Sequence, residues 1–204
     1  MENDENLTMQ ISGVLLAGGR SSRMGIDKAA LLFEGEPLAV RVLRRLRDAC
    51  EEVVVASGDG TGLAWLGVAQ VPDAIPGAGP LSGIIAGLEW ASFETVAVVA
   101  ADMPYASAEL LRLLADLRTD EDAVLPLTER GAEPLHAVYA KAAAPSLRRA
   151  LEDGERSVHR ALRSARIREV ESDVWRRADP TGRFAVNVNR PEDLQSSEGA
   201  GSTF

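Results

Sequence analysis

Cysteine is all but missing from this chain of 204 residues, where Cys50 stands alone. One thiol builds neither a disulfide framework nor a cysteine metal cluster, and it fits a reducing compartment. Positive charge is in deficit as well. Lys and Arg number 22 against 31 Asp and Glu, for a formal net charge of −9 and a pI near 4.8. That balance argues against a general nucleic-acid binder, which needs a basic surface. It leaves room for a nucleotide, because a local basic pocket can sit in an acidic protein. No apolar run approaches the ~20 residues of a membrane span, so no membrane partner is expected. Residues 1–10 are polar and acidic, without the apolar stretch of a secretory signal. A cytoplasmic location follows as the expectation. Neither an internal repeat nor a long linker is present. One domain is expected over 11–195, with disordered tails at 1–10 and 196–204.

What the chain has is 46% hydrophobic residues, enough for an α/β domain with a real core. Its most informative stretch runs from Leu15 to Lys28. The apolar Ile11-Ser12-Gly13-Val14 precedes it, and a helical pattern over 37–49 follows. Between them lie three glycines and three cations but no apolar run. Adjacent glycines let the backbone approach a ligand closely, with N–H groups turned to phosphate oxygens. Arg23 and Lys28 add charge where a polyphosphate would lie. The stretch is not a P-loop. Five residues separate Gly19 from Gly25, Ile26-Asp27 precede the lysine, and no hydroxyl follows it. Nor is it Gly-x-Gly-x-x-Gly. A plain surface loop would have the same composition, but this one leaves the carboxyl end of a strand, where open α/β sheets bind ligands.

Strands are expected over 11–17, 53–57, 68–71, 96–100, 123–127 and 135–139. Several are unbroken Val/Ala runs, as in strands buried on both faces of a mostly parallel sheet. In the helix over 37–49, Pro37 stands in the first turn, where its missing N–H costs nothing. Leu38, Val42 and Leu46 line its inner face, and Arg41, Arg44 and Arg45 form a solvated outer one. Three prolines and three glycines fix the loop over 72–83, and a helix begins near Pro80 with its free N–H groups at the same sheet edge. Asp73 before it is a turn former or a hydrogen-bond acceptor for a base or ribose, equally on local grounds. Val98-Val99-Ala100-Ala101-Asp102-Met103-Pro104 ends a buried strand in a carboxylate, where a magnesium ligand belongs. Ser107 is better placed than Asp102 to cap the next helix. His136 lies among apolar residues, the usual setting of a packed core histidine. His159 reads as surface. Asn187 and Asn189 either bind ligand or tie a turn, which asparagine does more often.

Leu16-Ala17-Gly18-Gly19, Arg23-Met24-Gly25 and Asp27-Lys28 resemble the signature of nucleotidyltransferases that activate sugars and cofactors, most of all the molybdenum cofactor guanylyltransferases. Gly79-Pro80-Leu81-Ser82-Gly83 is similar to that family's Gly-Pro-Leu-Ala-Gly, and Asp102-Met103-Pro104 to its Asp-x-Pro. The stretch from Asn187 to Leu194 is similar to its Asn-x-Asn-Thr-Pro-Glu-Asp-Leu close. Arg190 replaces the usual threonine there, which removes an N-cap worth about 1 kcal/mol. The resemblance runs from about Ser12 to Leu194. It implies a three-layer Rossmann-like nucleotide-diphospho-sugar transferase fold, α/β with a mostly parallel sheet. It implies transfer of GMP from GTP to molybdenum-molybdopterin with release of pyrophosphate. Leu16, Ala17, Gly18, Gly19, Lys28, Asp73 and Asp102 would then meet the nucleotide, and Lys28, Asp102 and Arg23 would carry catalysis. Asp102 would hold Mg²⁺. His136, Asn187 and Asn189 would face the pterin, and other proteins of molybdenum cofactor biosynthesis would be partners. Ala17-Gly18-Gly19 favours the guanylyl branch, since cytidylyl relatives usually have Leu-Ala-Ala-Gly. Ala56-Ser57 departs from the asparagine that family members can carry at the base pocket. Other readings are cytidylyl transfer to molybdopterin, nucleotidyl transfer to a sugar phosphate or a phospholactate-like acceptor, and a non-catalytic nucleotide sensor. Lys28 and Asp102 together argue against the sensor.

Overall fold

Valine and alanine runs too apolar for a half-exposed strand lie in the middle of a sheet covered on both faces. The computed structural model describes residues 9–18 and 28–188, with Lys28 described by its backbone alone. In chain order the strands and helices are β1 (Ile11–Leu16), β2 (Leu32–Phe33), β3 (Glu36–Pro37), α1 (Leu38–Ala49), β4 (Glu52–Ala56), β5 (Ala69–Val71), α2 (Pro80–Trp90) and β6 (Thr95–Ala100). There follow α3 (Ala108–Leu117), β7 (Ala123–Thr128), β8 (Gly131–Ala132), β9 (His136–Ala140), α4 (Ala144–Glu152), α5 (Val158–Ala161), β10 (Ile167–Val170) and α6 (Ser172–Trp175).

The sheet order is β10-β7-β9-β6-β1-β4-β5, with β8 on β7. β1 pairs in parallel with β4 and β6, β4 with β5, and β10 with β7. β9 runs antiparallel between β6 and β7. The carboxyl ends of β1, β4, β5, β6 and β7 therefore share one edge, and β9 begins there. Alternation sends Leu15, Val55, Val99 and Val124 to one face, under α1 and α3. Val14, Val54, Val98 and Leu125 go to the other, under α2 and α4. The result is the expected three-layer α/β/α arrangement. Each fully buried Leu or Ile in these layers stabilises the fold by about 2 kcal/mol. Gly87 lets α2 descend onto β1, since a Cβ there would lie 2.5 Å from the methyls of Val14. Among the described residues no helix is long and apolar enough to cross a membrane.

The structure departs from the sequence expectations in places. β10 and the β2–β3 hairpin join the expected strands, while Pro37 is the N-cap of α1 and not its first turn. Arg41 is not solvated: its side chain is 17% exposed and pairs with Glu34 at 2.8 Å. Its Nε donates to the Pro104 carbonyl at 2.9 Å, and its guanidinium lies over the Phe33 ring. The hairpin that carries Glu34 and Phe33 folds over the helix face expected to be free. Arg44 and Arg45 fit the outer face. His159 is exposed, as expected.

Candidate active site

The site lies where the carboxyl ends of β1, β4, β5 and β6 meet. β1 is locked between its neighbours past its last residue. The Ala17 N–H donates to the Ala56 carbonyl at 2.9 Å, and the Leu16 carbonyl accepts from Ala101 at 2.9 Å. Leu16 is thus nearly buried, while Ala17 and Gly18 emerge partly exposed. Gly18 passes against the loop after β4: a Cβ on it would sit 2.5 Å from the Gly58 nitrogen. Any other residue at Gly18 would push the end of β1 away from the loop that follows β4. Gly19 and Arg23 lie outside the described residues, as does the side chain of Lys28. The backbone of Lys28 opens a short 3-10 turn, Lys28–Ala30.

Asp73 follows β5 on the same edge. Its backbone N–H donates to the Gly58 carbonyl at 3.0 Å. Burial raises the carboxyl's pKa, and a hydrogen bond from the Gly58 backbone opposes the rise. Its Oδ1 would be 3.4 Å from a Cβ on Gly83, which also has Leu16 and Ala56 within tight reach. Asp73, Gly18 and the start of α2 are therefore one assembly. Gly79, at φ 84°, turns the chain into α2, and Ser82 holds the loop shut from within the helix. The Ile75 N–H donates to the Ser82 hydroxyl at 2.7 Å, and that hydroxyl donates to the Ile75 carbonyl at 2.9 Å. Ser57, at the end of β4, has a buried hydroxyl with no hydrogen-bond partner. Buried polar groups are normally satisfied, so this hydroxyl, without a partner among the described residues, stands out at the strand end.

Asp102 sits two residues past β6 and is partly exposed. Its carbonyl accepts from the Val188 N–H at 2.8 Å, which draws the 183–188 segment to the same edge. Asn187, exposed, stands next to that bond. Asn189 lies outside the described residues. Ser107, not Asp102, caps α3, its hydroxyl accepting from the Leu110 N–H at 3.2 Å.

A second carboxylate, Glu133, which the sequence motifs do not single out, lies close enough to Asp102 to feel its charge. In the β6–β9 ladder Val99 is opposite His136, and the Ala100 N–H donates to the Leu135 carbonyl at 2.9 Å. Asp102 lies three residues past the Val99–His136 end of that ladder, and Glu133 three residues before it. One Glu133 oxygen accepts from the Leu135 N–H at 3.0 Å. Burial raises the Glu133 pKa most, and the charge of Asp102 raises it further, against the Leu135 bond and His159. The only signal in the sequence was a glutamate just ahead of Pro134-Leu135-His136.

His136 itself takes the packed-core position and not the cleft. It is fully buried, and its Nε2 accepts the Ser107 N–H at 3.0 Å. Nδ1, which then carries the proton, meets no acceptor in hydrogen-bond geometry. Burial holds the imidazole down to about 4, opposed in part by its own carbonyl and by Asp179. Its ring packs on Phe184 at 5.0 Å, and Phe184 meets Trp175 edge-on at 5.1 Å. Its contribution is to anchor the 183–188 segment from below.

Among the described residues no three His, Cys, Asp or Glu side chains gather into a metal cage. Asp102 with Glu133 near it suits a different arrangement. Magnesium is commonly held by one or two carboxylates, with substrate phosphates and water completing the shell. Hard oxygen donors beside a glycine-lined crevice match that chemistry.

A mostly parallel sheet with a glycine approach and a carboxylate at its carboxyl edge is an arrangement that an α/β nucleotidyltransferase can use. A family model described as a MobA-like NTP transferase domain matches residues 13–170, and the chain belongs to that family. A protein of Chloroflexus aggregans named "Probable molybdenum cofactor guanylyltransferase" is 37% identical over 193 residues, covering 92% of this chain and 93% of its own. One of the same name from Opitutus terrae is 39% identical over 195 residues, covering 90% and 92%. Among solved structures, molybdopterin-guanine dinucleotide biosynthesis protein A from Archaeoglobus fulgidus superposes with a TM-score of 0.79 at 28% identity. The match covers 92% of this chain and 96% of that one.

Proposed function

We propose that the protein transfers GMP from GTP to molybdenum-molybdopterin, forming the guanine dinucleotide of the cofactor. The observation that carries this reading is the convergence of Gly18, Asp73 and Asp102 on one sheet edge, in a chain whose relatives bear the guanylyltransferase name.

The chemistry follows from charge. GTP lies along the loop after β1, with its base toward Ser57 and Asp73. A terminal phosphate oxygen of molybdopterin forms a bond to the α-phosphorus of GTP. The bond from that phosphorus to the bridging oxygen of the β-phosphate breaks, and pyrophosphate leaves. An anionic nucleophile meeting an anionic phosphate needs alignment and neutralisation more than a general base. Lys28 and Arg23 neutralise the departing phosphates. Asp102, with Glu133 in support, holds Mg²⁺, which when bound supplies further charge to the triphosphate. Gly18, set close against Gly58, holds the end of β1 where the chain enters the proposed phosphate loop.

A nucleotide panel tests the nucleotide half of the reading. GTP with Mg²⁺ at ~100 times its dissociation constant adds about 2.7 kcal/mol of stability. The expected result is a larger rise in melting temperature with GTP than with ATP, CTP or UTP. Equal rises with all four reject guanine selectivity.

A further inference from the structure

The 183–188 segment lies at the same sheet edge as Asp102 and packs, through Val188, on the stretch that follows the Lys28–Ala30 turn. Its 3-10 turn, Arg183–Ala185, is pinned from below by Phe184, which is wholly buried against His136 and Trp175. It is pinned at its end by the Val188 N–H on the Asp102 carbonyl. Val188 also packs with Phe33 and Leu38, and Tyr105 lies against that small cluster. Tyr105 meets Phe33 edge-on at 5.4 Å. On the Tyr105 ring lies the guanidinium of Arg183, its Cζ 3.6 Å from the ring centroid.

That contact differs from those of the other arginines stacked on rings. Arg41, over Phe33, is largely buried and committed to Glu34 and the Pro104 carbonyl. Arg176, over Trp175, donates to the Pro180 carbonyl. Arg183 is exposed, and among the described residues no carboxylate pairs with it. Stacking holds its plane and leaves its N–H edge open. A guanidinium held flat with its donors open is suited to a bidentate hold on a phosphate. Tyr105 is three residues past Asp102, so the stack stands close to where phosphate chemistry is expected. The nucleotide elements Gly18, Ser57 and Asp73 belong to the β1-β4-β5 half of the sheet. Arg183 belongs to the β9-β7 half, through Phe184 on His136. The other side of the same turn, at Gly182, Ala185 and Val186, lines a cavity of about 420 Å³ with Thr128, Arg130 and Trp175, room for the body of an acceptor.

We propose that Arg183, held on the Tyr105 ring, binds the terminal phosphate of the acceptor and sets acceptor affinity without contributing to GTP binding. The acceptor's identity as molybdopterin rests on the function proposed above.

The test is direct binding of molybdopterin, without nucleotide, to the wild-type protein and to Arg183→Ala, Arg183→Lys and Tyr105→Leu. Loss of a charge-assisted phosphate contact corresponds to about tenfold or more in Kd. Arg183→Ala is expected to weaken molybdopterin binding about tenfold. Arg183→Lys, which keeps the charge but not the planar fork, and Tyr105→Leu, which frees the side chain, are expected to fall between. The GTP-induced rise in melting temperature should be the same in all four proteins. An unchanged molybdopterin Kd in Arg183→Ala overturns the proposal, and so does a GTP response that falls in parallel. The binding result stands whichever nucleotide the enzyme prefers, so failure of guanine selectivity is told apart from failure here. A wild-type protein that binds no molybdopterin overturns both.

Discussion

Gly18 and Gly58 touch backbone to backbone, so that a Cβ on Gly18 would lie 2.5 Å from the Gly58 nitrogen and 2.9 Å from its Cα. Gly87 is equally crowded, but by the methyls of Val14 in the core. The two alanine variants should separate site from scaffold. Both Gly18→Ala and Gly87→Ala are expected to lose about 1–3 kcal/mol, the usual cost of forcing an atom into a filled space. Denaturant unfolding measures that. Only Gly18→Ala should also lose the stabilisation by GTP and Mg²⁺, because it moves the end of β1 away from the loop that follows β4. A Gly87→Ala variant with a lost GTP response would place the nucleotide elsewhere.

Asp102→Asn keeps the size and hydrogen-bonding reach of the side chain and removes its charge. A neutral amide is a poor ligand for a hard dication on a triphosphate. Stability without ligand should be unchanged or slightly raised, with a neighbouring negative charge gone from Glu133. Transfer should collapse, and GTP binding should lose its magnesium dependence. Melting temperature and a magnesium titration on one sample decide it. A fallen melting temperature with an intact magnesium response would mean that Asp102 is only a turn residue.

Ser57→Ala removes a buried hydroxyl that has no partner among the described residues. Deleting such a group leaves stability unchanged or raises it by up to about 1 kcal/mol. If the hydroxyl meets the base, the variant should be as stable as wild type and respond less to GTP. A lower melting temperature with a full GTP response would assign Ser57 to the scaffold.

His136 makes stability depend on pH in a defined window. Its folded pKa is held down to about 4 by burial, and an unfolded histidine titrates near 6.5. Between these values the unfolded chain binds more protons than the folded one. The contribution is full above about pH 6.5, declines as pH falls, and is gone below about 4, a span of about 3 kcal/mol. His136→Asn should flatten this part of the stability profile relative to wild type, as read by denaturant unfolding at a series of pH values. An unaltered slope in the variant would assign the acid sensitivity to other groups.

The sheet was legible because its strands are buried on both faces. Val53-Val54-Val55 and Val96 through Ala100 have few other places to go, and their observed bounds differ from the expected ones by a residue or so. β10 was not legible. Ile167-Arg168-Glu169-Val170 is an edge strand exposed at three of four positions, so its composition does not differ from a loop. Arg41 was misread because a helical wheel shows only which way a residue points, not what the chain later folds over it. Glu34 and Pro104 come from separate stretches, and they turn an outer face into an inner one. His136 lay in a run buried on both faces, where alternation cannot tell core from cleft. Glu133 comes near Asp102 only because β9 pairs with β6, and that pairing is not visible in the sequence. The place of Gly18 and Asp102 at strand ends could be read because it is local, but the crowding of Gly18 by Gly58 could not, since forty residues separate them. Gly19, Arg23, Asn189 and the Lys28 side chain lie outside the described residues, and their roles remain with the proposal.

Guanylyl transfer to a pterin phosphate must release one pyrophosphate for each dinucleotide formed, and that release can be followed. The protein is incubated with Mg²⁺, molybdopterin and one of GTP, CTP, ATP or UTP, and pyrophosphate is measured over time. Release is expected with GTP, in proportion to added molybdopterin and matched by the dinucleotide product, with little from the other three. Release from CTP in preference to GTP, or release from GTP indifferent to molybdopterin, would contradict it.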